Sequence, residues 1–271
     1  MTNIASMTGF AESTGSHEGL RWRWEAKSVN SRSLDLRLRT PPGFDGLEPA
    51  ARKLAAERFQ RGAFQISLSV ESAETGLAPA RVDGLLALKG VIVADDAAAL
   101  DPLVRGARDA AILESLSIAF DKLAKERLRE GAKLAQVMGA QVDEIARLTG
   151  EAASLAAAQP AALRERLSAQ IKELLDGGGI AEDRLAQEVA LLALKADIRE
   201  ELDRLNAHVQ DARALLGQAK GVGRKLDFLA QEFNREANTL CSKSADIALT
   251  RTGLALKAVI DQFREQAQNV E

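Results

Sequence analysis

Two stretches concentrate side chains able to do acid–base or metal chemistry. Along a helix expected over residues 182–211, Leu191, Leu194, Ile198, Leu202, Leu205 and Val209 mark one apolar stripe. Beside it Asp197, Glu201, Arg204 and His208 stack in a narrow sector over about three turns. Carboxylates four residues apart on one face can converge on a hard cation, and an imidazole adds a ligand or a proton-transfer group. The same residues also suit a plainer role. Asp197 or Glu201 would pair with Arg204 while the histidine is solvated, each such pair contributing only about 0.3 kcal/mol.

The second stretch spans residues 220–247. Gly221 and Gly223 flank Val222 and allow a turn with positive φ before a helix that starts near Arg224. Leu226, Leu229, Phe233, Ala237 and Leu240 form its packed stripe. Asp227, Gln231, Asn234 and Asn238 fall on one flank, and Glu232, Glu236 and Thr239 on the other. Asn, Thr and Asp are weak helix formers, so these flanks are more specific than a solvated Lys/Glu face, unless the amides cap or bridge to neighbouring segments. If the two helices form an antiparallel hairpin through a turn at 217–223, Glu201 and His208 can face Glu232 and Glu236. The sequence does not fix the register.

Several motifs resemble, in the same order, those of the bacterial YicC-like endoribonuclease family. They are SMTGFA at 6–11, WEAKSVNSRSLDLRLR at 24–39, EVALLALKADIREELDRLNAH at 188–208, GRKLDFLAQE followed by NREANTLCSKS at 223–244, and the closing REQAQNVE. Arg127 and Glu130 fit a further charged motif at 127–131 that is similar to the family pattern. The match is weakest over 76–115, where the chain is shortened and carries LKGV at 88–91 in place of a Trp-Pro-Gly-Val-like turn.

The resemblance implies a metal-dependent endoribonuclease acting on structured or small RNA, assembled as a homo-oligomer, a hexameric clamp around its substrate. On that reading Mg²⁺ or Mn²⁺ is held by carboxylates among Asp197, Glu201, Glu232 and Glu236. Catalysis then falls to Glu201, His208, Glu232 and Glu236, with His208 as general acid or base. Arg224, Lys225, Arg235, Asn238 and Lys243 hold RNA. A non-catalytic RNA-binding scaffold that hands small RNAs to other decay nucleases would use the same cations and leave the acidic sector dispensable. A helical oligomerisation protein without a nucleic-acid role would leave the NREANTL face unexplained.

The 271 residues carry a net charge of -3 with 46% apolar content, enough for a sizeable core and two folding units. The chain is therefore not globally basic, and any RNA contact must gather its positive charge locally. No charged segment leads into an apolar run at the start, and no run of about 18 apolar residues occurs, so neither export nor membrane insertion is expected. The lone Cys241 forms no intramolecular disulfide and reads as a small packed residue. These features fit a bacterial-type cytosol.

The fold expected is α+β, an N-terminal antiparallel or mixed sheet with a packed helix followed by a part rich in long helices. Strands are expected over 4–11, 20–29, 34–39 and from Arg61 to Ser72, with a helix over about 47–60. In the second strand Trp22, Trp24 and Ala26 alternate with Arg21, Arg23, Glu25 and Lys27, and Leu34, Leu36 and Leu38 alternate with Asp35, Arg37 and Arg39. Arg21, Arg23, Lys27, Arg32, Arg37 and Arg39 thus crowd one region. They suit either a phosphate track or the charges that discourage strand-edge pairing. Residues 76–112 read as a linker, 111 to about 158 as one long helix or a closely broken pair, and Pro160 to Leu175 as a second long helix stopped by Gly177–Gly179. The organisation expected is an α+β unit at 1–80, a linker and long helical arm at 81–180, and a C-terminal helical domain at 181–271.

Overall fold

The fold is described from a computed structural model, which covers residues 4–72, 102–174, 197–218, 221–244 and 246–271 together with positions 187, 190 and 191. It is α+β. The chain divides into two compact units, Ala5–Gly131 with Glu271, and Ala132–Val270 with Ile4.

The first unit holds a four-stranded mixed sheet of β1 (Gly9–His17), β2 (Leu20–Val29), β3 (Leu34–Arg39) and β4 (Gly62–Ser72), in the order β1-β2-β4-β3. β1 and β2 form a hairpin across Glu18 and Gly19, whose φ angles of 47° and 83° make the two-residue turn that matches strand twist. The turn sets the register, pairing Phe10 with Lys27 and Glu12 with Glu25. β3 runs parallel to β4, as it must after the crossover helix α1 (Glu48–Arg58). The first strand is expected at 4–11 but occupies 9–17. The Ser6 hydroxyl instead bonds Thr8 Oγ1 at 2.9 Å and accepts the Thr8 backbone N–H at 3.1 Å, holding that stretch out of the ladder.

Period-two patterning buries Trp22, Trp24, Ala26, Leu36, Phe64 and Ile66 on one sheet face. That face packs on Ala51 and Ala55 of α1 and on Ile112, Leu116 and Phe120 of a long helix, α2 (Pro102–Leu174). Both tryptophans keep a polar partner, as buried indoles must. Trp22 Nε1 donates to Ser115 Oγ at 2.7 Å, and Trp24 Nε1 to the Ile112 carbonyl at 2.9 Å. Arg127 is buried in this unit, with its guanidinium carbon 5.1 Å and 5.3 Å from the Phe59 and Phe64 rings. It donates to the carbonyls of Ser6 and Arg61, pairs with Glu271 at 3.4 Å, and has its pKa lowered by burial. Arg127 thus serves packing, while Glu130 accepts from Thr8 Oγ1 at 2.9 Å.

α2 differs from its sequence reading at both ends. It begins at Pro102, so 102–112 is helix rather than linker, and it runs through Pro160 without dividing. A proline forfeits one helical hydrogen bond, and the neighbouring Ala156, Ala157, Ala161 and Ala162 are the strongest helix formers available to offset it. The rest of the expected linker, including LKGV at 88–91, and the glycines at 177–179 lie outside the described residues.

The second unit contains the later part of α2 with α3 (Arg199–Leu216), α4 (Gly223–Lys243) and α5 (Ile247–Ala267). Gly221 takes φ 68° at the turn between α3 and α4, and α4 begins at Gly223. Its expected stripe is buried, as are Leu202, Leu205 and Val209 of α3 and Leu256, Ile260 and Phe263 of α5. Asp246 caps α5 by accepting the backbone N–H groups of Ala248 and Leu249. A Cβ on Gly253 would lie 2.6 Å from Cys241 Sγ, so α4 and α5 meet where only a hydrogen fits. Among the described residues no helix is long and apolar enough to cross a membrane.

Candidate metal centre

α3 and α4 form the antiparallel hairpin that brings their polar flanks together. Three successive pairs fix its register. Lys243 Nζ donates to Glu201 Oε1 at 2.9 Å, Arg204 Nε lies 2.8 Å from Glu236 Oε2, and the His208 and Phe233 rings meet edge to face at 5.8 Å. At the third level one ligand atom from each of His208, Glu232 and Glu236 lies within 4.8 Å of the other two. His208 and Glu232 are half-buried and Glu236 is buried, its side chain only 4% exposed.

The donor set is short of partners. Among the described residues, Glu236 Oε2, Glu201 Oε2 and His208 Nε2 are buried without a hydrogen bond. Arg204 Nε, although 2.8 Å from Glu236 Oε2, also makes none, so this is an ion pair with a misdirected N–H. Buried polar atoms are ordinarily satisfied, and a carboxylate without its full set of donors is costly. Glu236 and His208, each with an orphaned atom, together with the Glu232 carboxylate offer the ligand chemistry of a divalent cation, so the residues fit such a group.

Glu201 is held away from that trio. Its side chain is 3% exposed, and Lys243 together with Arg204 Nη2, 3.5 Å away, neutralises it. Arg204 is the pivot, touching Glu201 and Glu236 while hydrogen-bonding Glu200. Glu236 and then Glu200 hold its pKa above the ordinary arginine value, so it stays charged. Lys243, expected to hold RNA, spends its ammonium on Glu201 and on the Asp197 carbonyl at 3.0 Å.

Asp197 leaves the sector in which helical spacing puts it. Ile198 has φ -117° and ψ 13°, and α3 starts only at Arg199, so the helix expected over 182–211 is not continuous. Asp197 Oδ1 accepts the Arg199 backbone N–H at 3.0 Å, a local bond that competes with the helical one. Its carboxylate pairs with the Arg199 guanidinium, which draws its pKa down to about 2. Leu194 lies outside the described residues, and Leu191 is helical but 55% exposed.

The other flank of α4 is a polar ladder. Gln231 donates to Asp227 at 3.3 Å, Asn238 to Asn234 at 3.1 Å, and Asn234 to Asp261 of α5 at 2.9 Å. These amides therefore bridge along α4 and across to α5. Arg224, Lys225 and Arg235 are exposed, Arg235 lying 3.9 Å from Glu232.

In the first unit, Arg21, Arg23, Lys27, Arg37 and Arg39 project from the exposed sheet face, and Arg32 is exposed in the β2–β3 loop. The face is less cationic than its arginines suggest. Arg23 pairs with Glu12 and lies 3.6 Å from Glu25, and Arg37 lies 3.7 Å from Asp35.

The sequence matches two family models. One is described as endoribonuclease YicC-like, N-terminal region, over residues 4–84, and the other as endoribonuclease YicC-like, C-terminal, over 152–271. The chain is similar to a protein of Haemophilus influenzae named probable endoribonuclease YicC, at 35% identity across 99% of this chain and 100% of that one. It is also similar to a Clostridioides difficile protein of the same name, at 30% identity across 98% and 99%.

Proposed function

Because this chain belongs to the YicC-like endoribonuclease family, we propose that it is a metal-dependent endoribonuclease whose cation is held by His208, Glu232 and Glu236. The observation that carries the reading is the convergence of these side chains from two helices, with Glu236 Oε2 and His208 Nε2 buried without a hydrogen bond among the described residues and Glu236 Oε2 neutralised only by the Arg204 ion pair. An imidazole among the ligands makes Mn²⁺ a better match than Mg²⁺, which prefers oxygen. When bound, the cation supplies positive charge to a phosphodiester oxygen and acidifies water.

The chain's own groups do the rest. Phe233 fixes the His208 ring edge to face, leaving Nε2 to take a metal or move a proton. Lys243 and Arg204 neutralise Glu201 and keep it beside the trio without joining it. Arg224, Lys225 and Arg235, exposed on α4, provide cations for the flanking phosphates of structured or small RNA. Arg21, Lys27 and Arg39, with no carboxylate within ion-pair distance among the described residues, are the strand cations best suited to the same role in the first unit. The working form in this reading is a cytosolic homo-oligomer, a hexameric clamp, able to act with other RNA-decay nucleases. Ile247 and Leu254, 72% and 56% exposed on α5, support self-association.

The test is cleavage of a structured RNA in Mn²⁺, Mg²⁺ or chelator by the wild type and by Glu236→Gln, Glu232→Ala and His208→Ala. Mn²⁺-dependent cutting lost in the variants, with RNA binding retained, is the expected result. A Mn²⁺-induced rise in Tm should vanish with it, since a ligand at a hundredfold its Kd stabilises by about 2.7 kcal/mol. RNA bound but never cut under any metal would replace the nuclease with a scaffold.

A further inference from the structure

We infer that Arg204 is the exchangeable counter-cation of this centre: it occupies Glu236 while the divalent ion is absent and withdraws toward Glu200 when the ion binds. The inference rests on the metal reading of His208, Glu232 and Glu236. Glu236 and Glu201 are buried carboxylates that need neutralising when no ion is present, and Arg204 is the group that touches both. Its hold on Glu236 is close but poorly directed. Arg204 Nε is 2.8 Å from Oε2, and neither atom gains a hydrogen bond among the described residues. It also hydrogen-bonds Glu200 at the surface, where Glu200 is 75% exposed and Arg204 itself 41% exposed. A guanidinium with a misdirected inner contact and a formed outer one can shift outward without losing all its partners. A divalent ion at the trio would supply the strong charge that Glu236 then requires, while repelling the neighbouring arginine.

This assigns Arg204 a positioning role of definite sign. If it merely held Glu236 in place, its removal would weaken metal binding. As a competitor for Glu236, its removal must tighten it.

The measurement is Mn²⁺ affinity by isothermal titration calorimetry on the full chain. Arg204→Gln should bind Mn²⁺ about tenfold tighter than wild type or more, with Arg204→Lys between the two. Glu200→Gln removes the outer resting place and should weaken Mn²⁺ binding about threefold, an effect that disappears in the Arg204→Gln background. Asp203→Asn, an exposed carboxylate nearby on α3, controls for through-space charge and should change affinity less than Glu200→Gln. Should Arg204→Gln fail to fold by near-ultraviolet circular dichroism, the contrast between Glu200→Gln and Asp203→Asn decides. Mn²⁺ binding that is unchanged or weaker in Arg204→Gln, or equal in Glu200→Gln and Asp203→Asn, overturns the inference. A wild type that binds no Mn²⁺ overturns the metal reading beneath it.

Discussion

Replacing Lys243 by methionine separates its structural role from a role in RNA binding. The Glu201 side chain is 3% exposed, and its closest cation is Lys243 Nζ at 2.9 Å. Removing one partner of a fully buried ion pair costs about 3–5 kcal/mol because the other charge is stranded. Here the loss is smaller. The Lys243 side chain is 35% exposed, and Arg204 Nη2 stays 3.5 Å from the same oxygen. The expected cost is therefore about 2 kcal/mol, or a fall in Tm of about 4–8 °C for a chain of this size. Urea unfolding of wild type, Lys243→Met, Glu201→Gln and the double variant measures it. The double variant, having no charge left to strand, should be less destabilised than the two singles combined by about 1 kcal/mol or more. A Lys243→Met protein within about 0.5 kcal/mol of wild type, or a coupling energy of zero, would refute the placement of this pair. The same variant should leave the salt dependence of RNA affinity unchanged, whereas loss of a true phosphate contact lowers its slope by about one.

Gly253→Ala puts a Cβ 2.6 Å from Cys241 Sγ and 3.0 Å from Leu240 Cδ2, and should destabilise by about 1–3 kcal/mol; urea unfolding should show partial recovery when Cys241→Ala makes room. Asp197 has a folded pKa of about 2, held below the ordinary aspartate value by the Arg199 guanidinium and backbone N–H. Its contribution is present above the unfolded value and lost as pH falls through the folded one. Asp197→Asn should therefore flatten the stability-versus-pH curve between about pH 4 and 2, as read by urea midpoints. If the proposed homo-oligomer forms through the exposed apolar side of α5, Leu254→Lys should lower the mass seen in light scattering while leaving the circular dichroism unchanged.

The sheet was legible because strands announce themselves locally. Trp22, Trp24 and Ala26 alternate with charges, and their burial follows from period two alone. The stripes of α3 and α4 were legible for the same reason. Where the reading went astray, a single local bond or its absence decided the outcome. Asp197 takes the Arg199 N–H and starts α3 late, and Ser6 turns on Thr8 and delays β1. Pro160 starts no second helix, because the alanines around it favour helix strongly enough for α2 to run through it. None of these competitions between a side chain and the backbone leaves a mark in hydrophobic periodicity.

The centre itself was half legible, and the hairpin explains which half. Each helix exposes its acids to inspection, so Glu201, His208, Glu232 and Glu236 could be chosen one helix at a time. Which of them meet depends on register, because sliding α4 by one turn against α3 would exchange one set of partners for another. The observed register puts Lys243 on Glu201 and leaves Glu236 to share Arg204 with it, so the carboxylate touched by both cations is withdrawn from the trio while Glu232 and Glu236 remain. The opposite flank of α4 meets α5 through Asn234 and Asp261, closing a polar ladder there. α4 thus sends hydrogen-bonded amides to one neighbour, while on its other side Glu236 Oε2, and Glu201 Oε2 and His208 Nε2 of α3, are buried without a hydrogen bond among the described residues. That gathering of orphaned atoms, more than the number of acids, argues for a cation between α3 and α4, since buried polar atoms are ordinarily satisfied.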